Sequence, residues 1–174
     1  MRNQLVPNED ADEFKKLERA AAKIDGTKDL GDPWPAERFR RALPDRVGDY
    51  LADGAALTGV TPAEAGTATT VARRYRSGKS LMNVKVTDTA DAPGVRRELA
   101  EQLVMTGNEP TGHQRGRIDG PIAGVLAYHE KVGASRAMAL VAGRFLVEVM
   151  VEHADEKDAA WSAIEALDAK ALKR

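Results

Sequence analysis

The 174-residue chain contains no cysteine. Disulfide scaffolds, thiolate metal sites and cysteine nucleophiles are thereby excluded. Aromatic residues are scarce, at 5%, too few for a platform that stacks single-stranded bases. Positive charge is not in surplus: 26 Lys and Arg stand against 27 Asp and Glu, a formal net charge of −1. A dedicated nucleic-acid binder carries a marked basic excess, so nucleic acid is not expected as a partner. No apolar run approaches the ~20 residues that cross a bilayer as a helix, so no transmembrane span is expected. Hydrophobic residues at 43% and charged residues at 30% describe a chain able to bury one core.

Residues 1–42 read as a polar lead-in with short helices, and 43–174 as a single α+β domain. In the lead-in, Phe14, Leu17, Ala21 and Ile24 recur every three or four residues, which predicts a helix over Asp10 to Lys23. Gly31-Asp32-Pro33-Trp34-Pro35 breaks it, and Pro35 suits the start of a second helix, Ala36 to Ala42. Trp34, in its Pro-Trp-Pro setting, reads as a packing anchor that with Phe39 and Leu43 pins this segment to the domain. Met1 is followed by Arg2, Asn3 and Gln4 and not by an apolar stretch. That start implies either a cytoplasmic protein or one whose export signal lies outside the sequence.

Residues 53–67, rich in Gly, Ala and Thr, read as a connection. Thr69, Val71, Arg73 and Tyr75 then alternate with more polar neighbours, as do Met82, Val84 and Val86. Period two predicts strands with one buried face, and Ser77-Gly78 between them supplies a hairpin turn. Val95, Leu99 and Leu103 share one face of a helix opened by Pro93 and expected to stop at Gly107. Residues 108–120 read as a loop. Three strands follow, Ile122–His129, Arg136–Ala142 and Phe145–Glu152, joined by turns at Lys131–Ala134 and Gly143-Arg144. A closing helix is expected after Asp155 as N-cap, with Ala160, Ile164, Leu167 and Ala171 inward and Lys170, Lys173 and Arg174 at its negative end. The expected fold is an antiparallel sheet of about five strands with two helices packed on it in two layers, plus the short N-terminal helices.

Candidate chemistry is sparse. Gly78-Lys79-Ser80 matches the tail of a phosphate-binding loop, but Arg73 stands where that motif needs Gly, and a strand follows instead of a helix. The three imidazoles, His113, His129 and His153, lack the spacing of a metal site, and no metal or cofactor is expected. No serine lies in a nucleophile elbow, and Glu148 and Glu152 on one strand face read as solvated charges. Arg73, Arg74, Arg76 and Lys79 cluster around the first hairpin as a charged contact patch. Leu146 and Met150 are unusual on a strand face that also carries Glu. They belong either under a helix or on a partner surface.

The order of these segments resembles a group of uncharacterised bacterial envelope proteins and lipoproteins. The run Leu43-Pro44-Asp45-Arg46-Val47-Gly48 resembles their opening, and Tyr75-Arg76-Ser77-Gly78 and Val84-Lys85-Val86-Thr87-Asp88-Thr89 resemble the strands that follow. Arg144-Phe145-Leu146-Val147-Glu148-Val149 and the helix from Ala163-Ile164 to Leu167-Asp168 complete the pattern over roughly residues 43–173. The resemblance implies an envelope location and carries no activity. The leading expectation is a non-catalytic, envelope-associated domain that binds a protein partner or an envelope component, with residues 1–35 as a docking arm. The alternative is a small-ligand carrier, its cleft between helices and sheet lined by Tyr75, Met82, Tyr128 and Trp161. The third is an enzyme with His129 or His153 as base.

Overall fold

A computed structural model describes residues 5–7, 11–24, 26–109 and 112–173. Alternation along the chain becomes one large antiparallel sheet rather than the five strands expected. Eleven strands are present among the described residues. They are β1 (Leu5–Pro7), β2 (Arg46–Val47), β3 (Tyr50–Ala52), β4 (Leu57–Ala63), β5 (Gly66–Ser77), β6 (Ser80–Asp88), β7 (Met105–Glu109), β8 (Gly112–Asp119), β9 (Ile122–His129), β10 (Ala134–Val141) and β11 (Phe145–Glu152). The sheet order is β1-β7-β8-β9-β10-β11-β6-β5-β3-β2, and β4 pairs with the first half of β5. Every pairing is antiparallel. Four α-helices accompany it: α1 (Ala11–Lys23), α2 (Ala36–Phe39), α3 (Pro93–Leu103) and α4 (Ala159–Ala166).

The undercount has two sources. The segment read as a connection contains β3 and β4, and the segment read as a loop contains β7 and β8. β4 is an edge strand whose Leu57, at 73% exposed, and Val60, at 66%, face water, and it carries Pro62. An edge strand needs little apolar alternation and tolerates proline, so its sequence signal is weak. β8 carries Gly116 because α3 ends directly above it: a Cβ there would sit 2.1 Å from the Leu103 carbonyl oxygen and 2.9 Å from Leu17. The first hairpin turn is where the sequence puts it, with Gly78 at φ +56° between Ser77 and Ser80.

Helices lie on both faces of the sheet, not in a single second layer. One face carries Val71, Tyr75, Met82, Val84, Val86, Phe145, Val147, Val149, Val151, Ala137 and Ala139, all in the main core. It is covered by α4, by the 3-10 turn Ala169–Leu172, and by α2 with the 3-10 turn Arg40–Ala42. Trp34 packs edge-on against Phe145, ring centroids 5.1 Å apart, and Phe39 lies 5.3 Å from the same ring. The lead-in from Trp34 onward is therefore built into the core instead of forming a free arm. Two buried arginines hold the chain just before it. Arg144 forks onto both oxygens of buried Asp88 (2.9 and 2.8 Å) and donates to the Leu30 and Asp32 carbonyls (2.7 Å each), while the Trp34 N–H donates to Asp88 (2.7 Å). Arg96 donates to the Thr89, Gly26 and Lys28 carbonyls.

The closing helix starts later than expected. Ala159 is its first residue, and no side chain of the preceding segment caps it. The cap comes from β10: Ser135 Oγ accepts from the Ala160 N–H (3.1 Å) and donates to the Lys157 carbonyl (2.9 Å). The α-helix ends at Ala166 because Leu167 is extended. Lys170 lies in the following 3-10 turn, Lys173 just beyond it, and Arg174 is outside the described residues. α3 stops at Leu103, and Gly107 falls in β7.

Candidate functional site

The second face of the sheet is covered only in part. Its first cross-strand row is Thr70, Thr87, Leu146, Leu140, Ala123 and Ile118, read through the register from β5 to β8. The apolar centre of this row takes α3: Leu99 packs with Leu140, Leu146 and Val125, and Val95 joins them. The N-terminus of α3 is fixed from β4 and β5, where Glu64 accepts from the Gly94 N–H (2.8 Å) and pairs with Arg97 (3.3 Å).

Beyond α3, which also buries Val125 and packs against Met138, the rest of the next two rows stays open. One is Ala72, Lys85, Glu148, Met138 and Val125; the other is Arg74, Asn83, Met150, Arg136 and Ala127. Together they floor a groove of about 1090 Å³. Its walls come from Asp53 to Leu57 at one end and from Gln102, Gln114 and His129 at the other. Small-molecule sites commonly measure roughly 300–1,000 Å³ and mix an apolar lining with a few polar groups. This groove has that size and that mixture.

Its charges are mostly committed. Lys85 stands directly across from Glu148 and pairs with it at 2.7 Å. Arg74 pairs with Asp53 at 3.1 Å. Arg136 is exposed and has no ion pair or hydrogen bond among the described residues. Asp53 is shared with Arg76 at 3.5 Å, so Arg136 is the groove guanidinium without an ion pair among the described residues. His129 at the rim has no hydrogen-bonded carboxylate among the described residues, and no three His, Cys, Asp or Glu side chains there gather as a metal site.

The residues expected to line a cleft sit elsewhere. Tyr75, Met82 and Trp161 are each 0% exposed within the main core. Tyr128 is half-buried on the same face, with the Lys157 ammonium 5.7 Å over its ring. All four therefore lie on or against the packed face, and not in the groove. Tyr75 donates to the Pro44 carbonyl (2.9 Å), and burial pushes its phenol up to about 12, against the lowering effect of Arg73. Trp161 donates to Asp119, which also receives Arg117 at 2.8 Å. Burial raises the Asp119 carboxyl, but these hydrogen bonds outweigh it and hold it below the ordinary carboxylate range.

The basic hairpin cluster is divided by the strand's own alternation. Arg73 points to the packed face, where it meets Asp45 (2.7 Å) and the Leu43 and Gly54 carbonyls. Arg74 and Arg76 point the other way and share Asp53, at 3.1 and 3.5 Å. Lys79 is exposed in the turn. Leu146 and Met150, flagged on sequence, realise both alternatives: Leu146 lies under α3, and Met150 lies on the open groove floor. Arg136 and Met138 were readable only as strand residues. His153 sits at the end of β11 with φ +52°. His113 falls in β8, and its side chain lies outside the described residues.

Comparison with family models, curated proteins and solved structures finds no match to this chain.

Proposed function

We propose that this chain is a non-catalytic binding domain of the bacterial envelope and that it works as a small-ligand carrier, with the uncovered half of the α3 face as its binding surface. One observation supports the reading above all: a groove of about 1090 Å³ is left open on a sheet whose other face carries the main core. The floor is apolar at Ala72, Val125, Ala127, Met138 and Met150, and methionines adapt to ligands of varied shape. Its carboxylates, Asp53 and Glu148, are each held in an ion pair with a neighbouring cation. The envelope part of the proposal rests on the resemblance of strands and turns.

Native mass spectrometry of the protein purified gently from its host tests the carrier role. A small non-covalent adduct that is lost in Ala127→Trp, a variant that fills the floor, is the expected result. A bare chain mass with a stoichiometric protein partner, unaffected by Ala127→Trp, would replace the carrier with a protein-interaction module. Fractionation of host cells expressing the intact gene tests the compartment, and recovery from the cytosol alone would remove the envelope assignment.

A further inference from the structure

We infer that the groove takes a single-chain amphiphile with a carboxylate head, and that Arg136 is the residue that pairs with the head. This rests on the binding reading above and specifies its ligand class. Arg136 lies mid-sheet, on a strand flanked by β9 and β11. Its cross-strand neighbours are Met150 and Ala127, and Met138 follows on the same face. The exposed guanidinium thus has apolar cross-strand neighbours, and its five N–H donors have no acceptor among the described residues. The other groove cations are engaged, Lys85 by Glu148 and Arg74 by Asp53. An entering anion therefore finds one free fork and no second.

Charge complementarity selects the head group. A monoanion matches the one groove guanidinium that has no ion pair among the described residues. A cation would be repelled by Arg136, and a dianion would bring a second charge that this guanidinium does not pair. A carboxylate is favoured among monoanions because its two oxygens match the planar guanidinium in a bidentate pair. The body of the ligand follows from the floor. Met138, Met150 and Ala127 offer an apolar strip around Arg136, bordered by Asn83, Lys85, Glu148 and Gln114. An unbranched hydrocarbon chain covers such a strip and gains from every methylene it takes out of water.

Isothermal titration of the full chain with dodecanoate below its micelle concentration tests this, with dodecanol and dodecyltrimethylammonium as controls. Saturable one-to-one binding of dodecanoate is expected, with dodecanol weaker and the cation weakest. Arg136→Gln is expected to weaken dodecanoate on the order of tenfold or more, as loss of a charged hydrogen-bond pair does, and to leave dodecanol unchanged. Arg136→Lys, which keeps the charge but not the fork, is expected to fall between. Ala127→Trp is expected to abolish binding of both. Equal affinity for dodecanoate and dodecanol, with Arg136→Gln silent, would overturn the anionic anchor while leaving a binding groove. Absence of binding by all three probes would overturn the ligand class and the carrier reading together. A dimer in sedimentation that Ala127→Trp dissociates would mean that a second copy of the chain fills the groove, and would overturn the proposal.

Discussion

The two faces of one sheet are built from the same strands, yet one carries the main core and the other is half open. On the packed face the strands offer unbroken apolar rows such as Val71, Val86, Val147 and Ala139. Four covering elements close over them. On the opposite face α3 covers the apolar centre of one row and the Val125–Met138 end of the next. The next two rows carry Lys85, Glu148, Arg74 and Arg136 among their apolar residues. Covering those rows would strip water from four charges, which costs more than the apolar contacts return. The difference teaches that the charges placed along a strand decide how far a helix can cover it. The uncovered remainder becomes a binding surface only where an apolar floor survives between the charges.

That contrast can be broken by substitution. The largest effect is expected on the packed side, where Trp161→Ala removes a fully buried indole and destabilises the fold by about 3–5 kcal/mol. Chemical denaturation measures it, and a loss under about 1 kcal/mol would mean that this face is not tightly packed. Asp88→Ala leaves buried Arg144 without its carboxylate, an expected loss of about 3–5 kcal/mol. It also frees residues 30–34, so faster hydrogen exchange at the Trp34 amide is expected. Leu99→Ala tests the covered half of the groove face and is expected to cost about 2–5 kcal/mol. Met150→Ala, on the open floor, is expected to change stability by less than about 1 kcal/mol. Equal losses from Leu99→Ala and Met150→Ala would erase the distinction between covered and open rows.

The two ends of the pH curve test two groups of the packed side. The Tyr75 phenol is pushed from 10.0 up to about 12 by burial, so folding favours its neutral form. That contribution is fully present below pH 10 and is lost as pH rises toward 12. Tyr75→Phe is expected to flatten the alkaline limb of the stability curve. Asp119 shifts the other way: its stabilising effect is present above its ordinary value of 3.8 and is lost as pH falls through its lower folded value. Its side chain is 39% exposed, so solvent screens it and the acid limb changes only slightly in Asp119→Asn.

Much of the packed face was legible because alternation is a local property. Side chains on a strand point to opposite faces whatever the strand pairs with. Val71, Val84 and Val147 are inward by that rule alone, and Trp34 is anchored by its proline-bounded setting. The edge strand β4 was not legible, nor were β7 and β8 within the sheet. β4, β7 and β8 carry few apolar residues, and β8 needs Gly116 for a helix that arrives from another part of the chain. The cap of α4 was equally hidden, because Ser135 reaches it from β10 and not from the segment before the helix.

The sequence by itself determined which residues can turn inward, where the first hairpin bends at Gly78, and that no cysteine chemistry is available. The tertiary structure alone decided which face receives which helix and which rows are left open. Arg74, Asn83, Met150, Arg136 and Ala127 meet in one row only through the register of four successive strand pairings. Register is set by non-local pairing, and a slip of one residue would send each of these side chains to the opposite face. The groove, and the unpaired guanidinium within it, exist because that pairing is made.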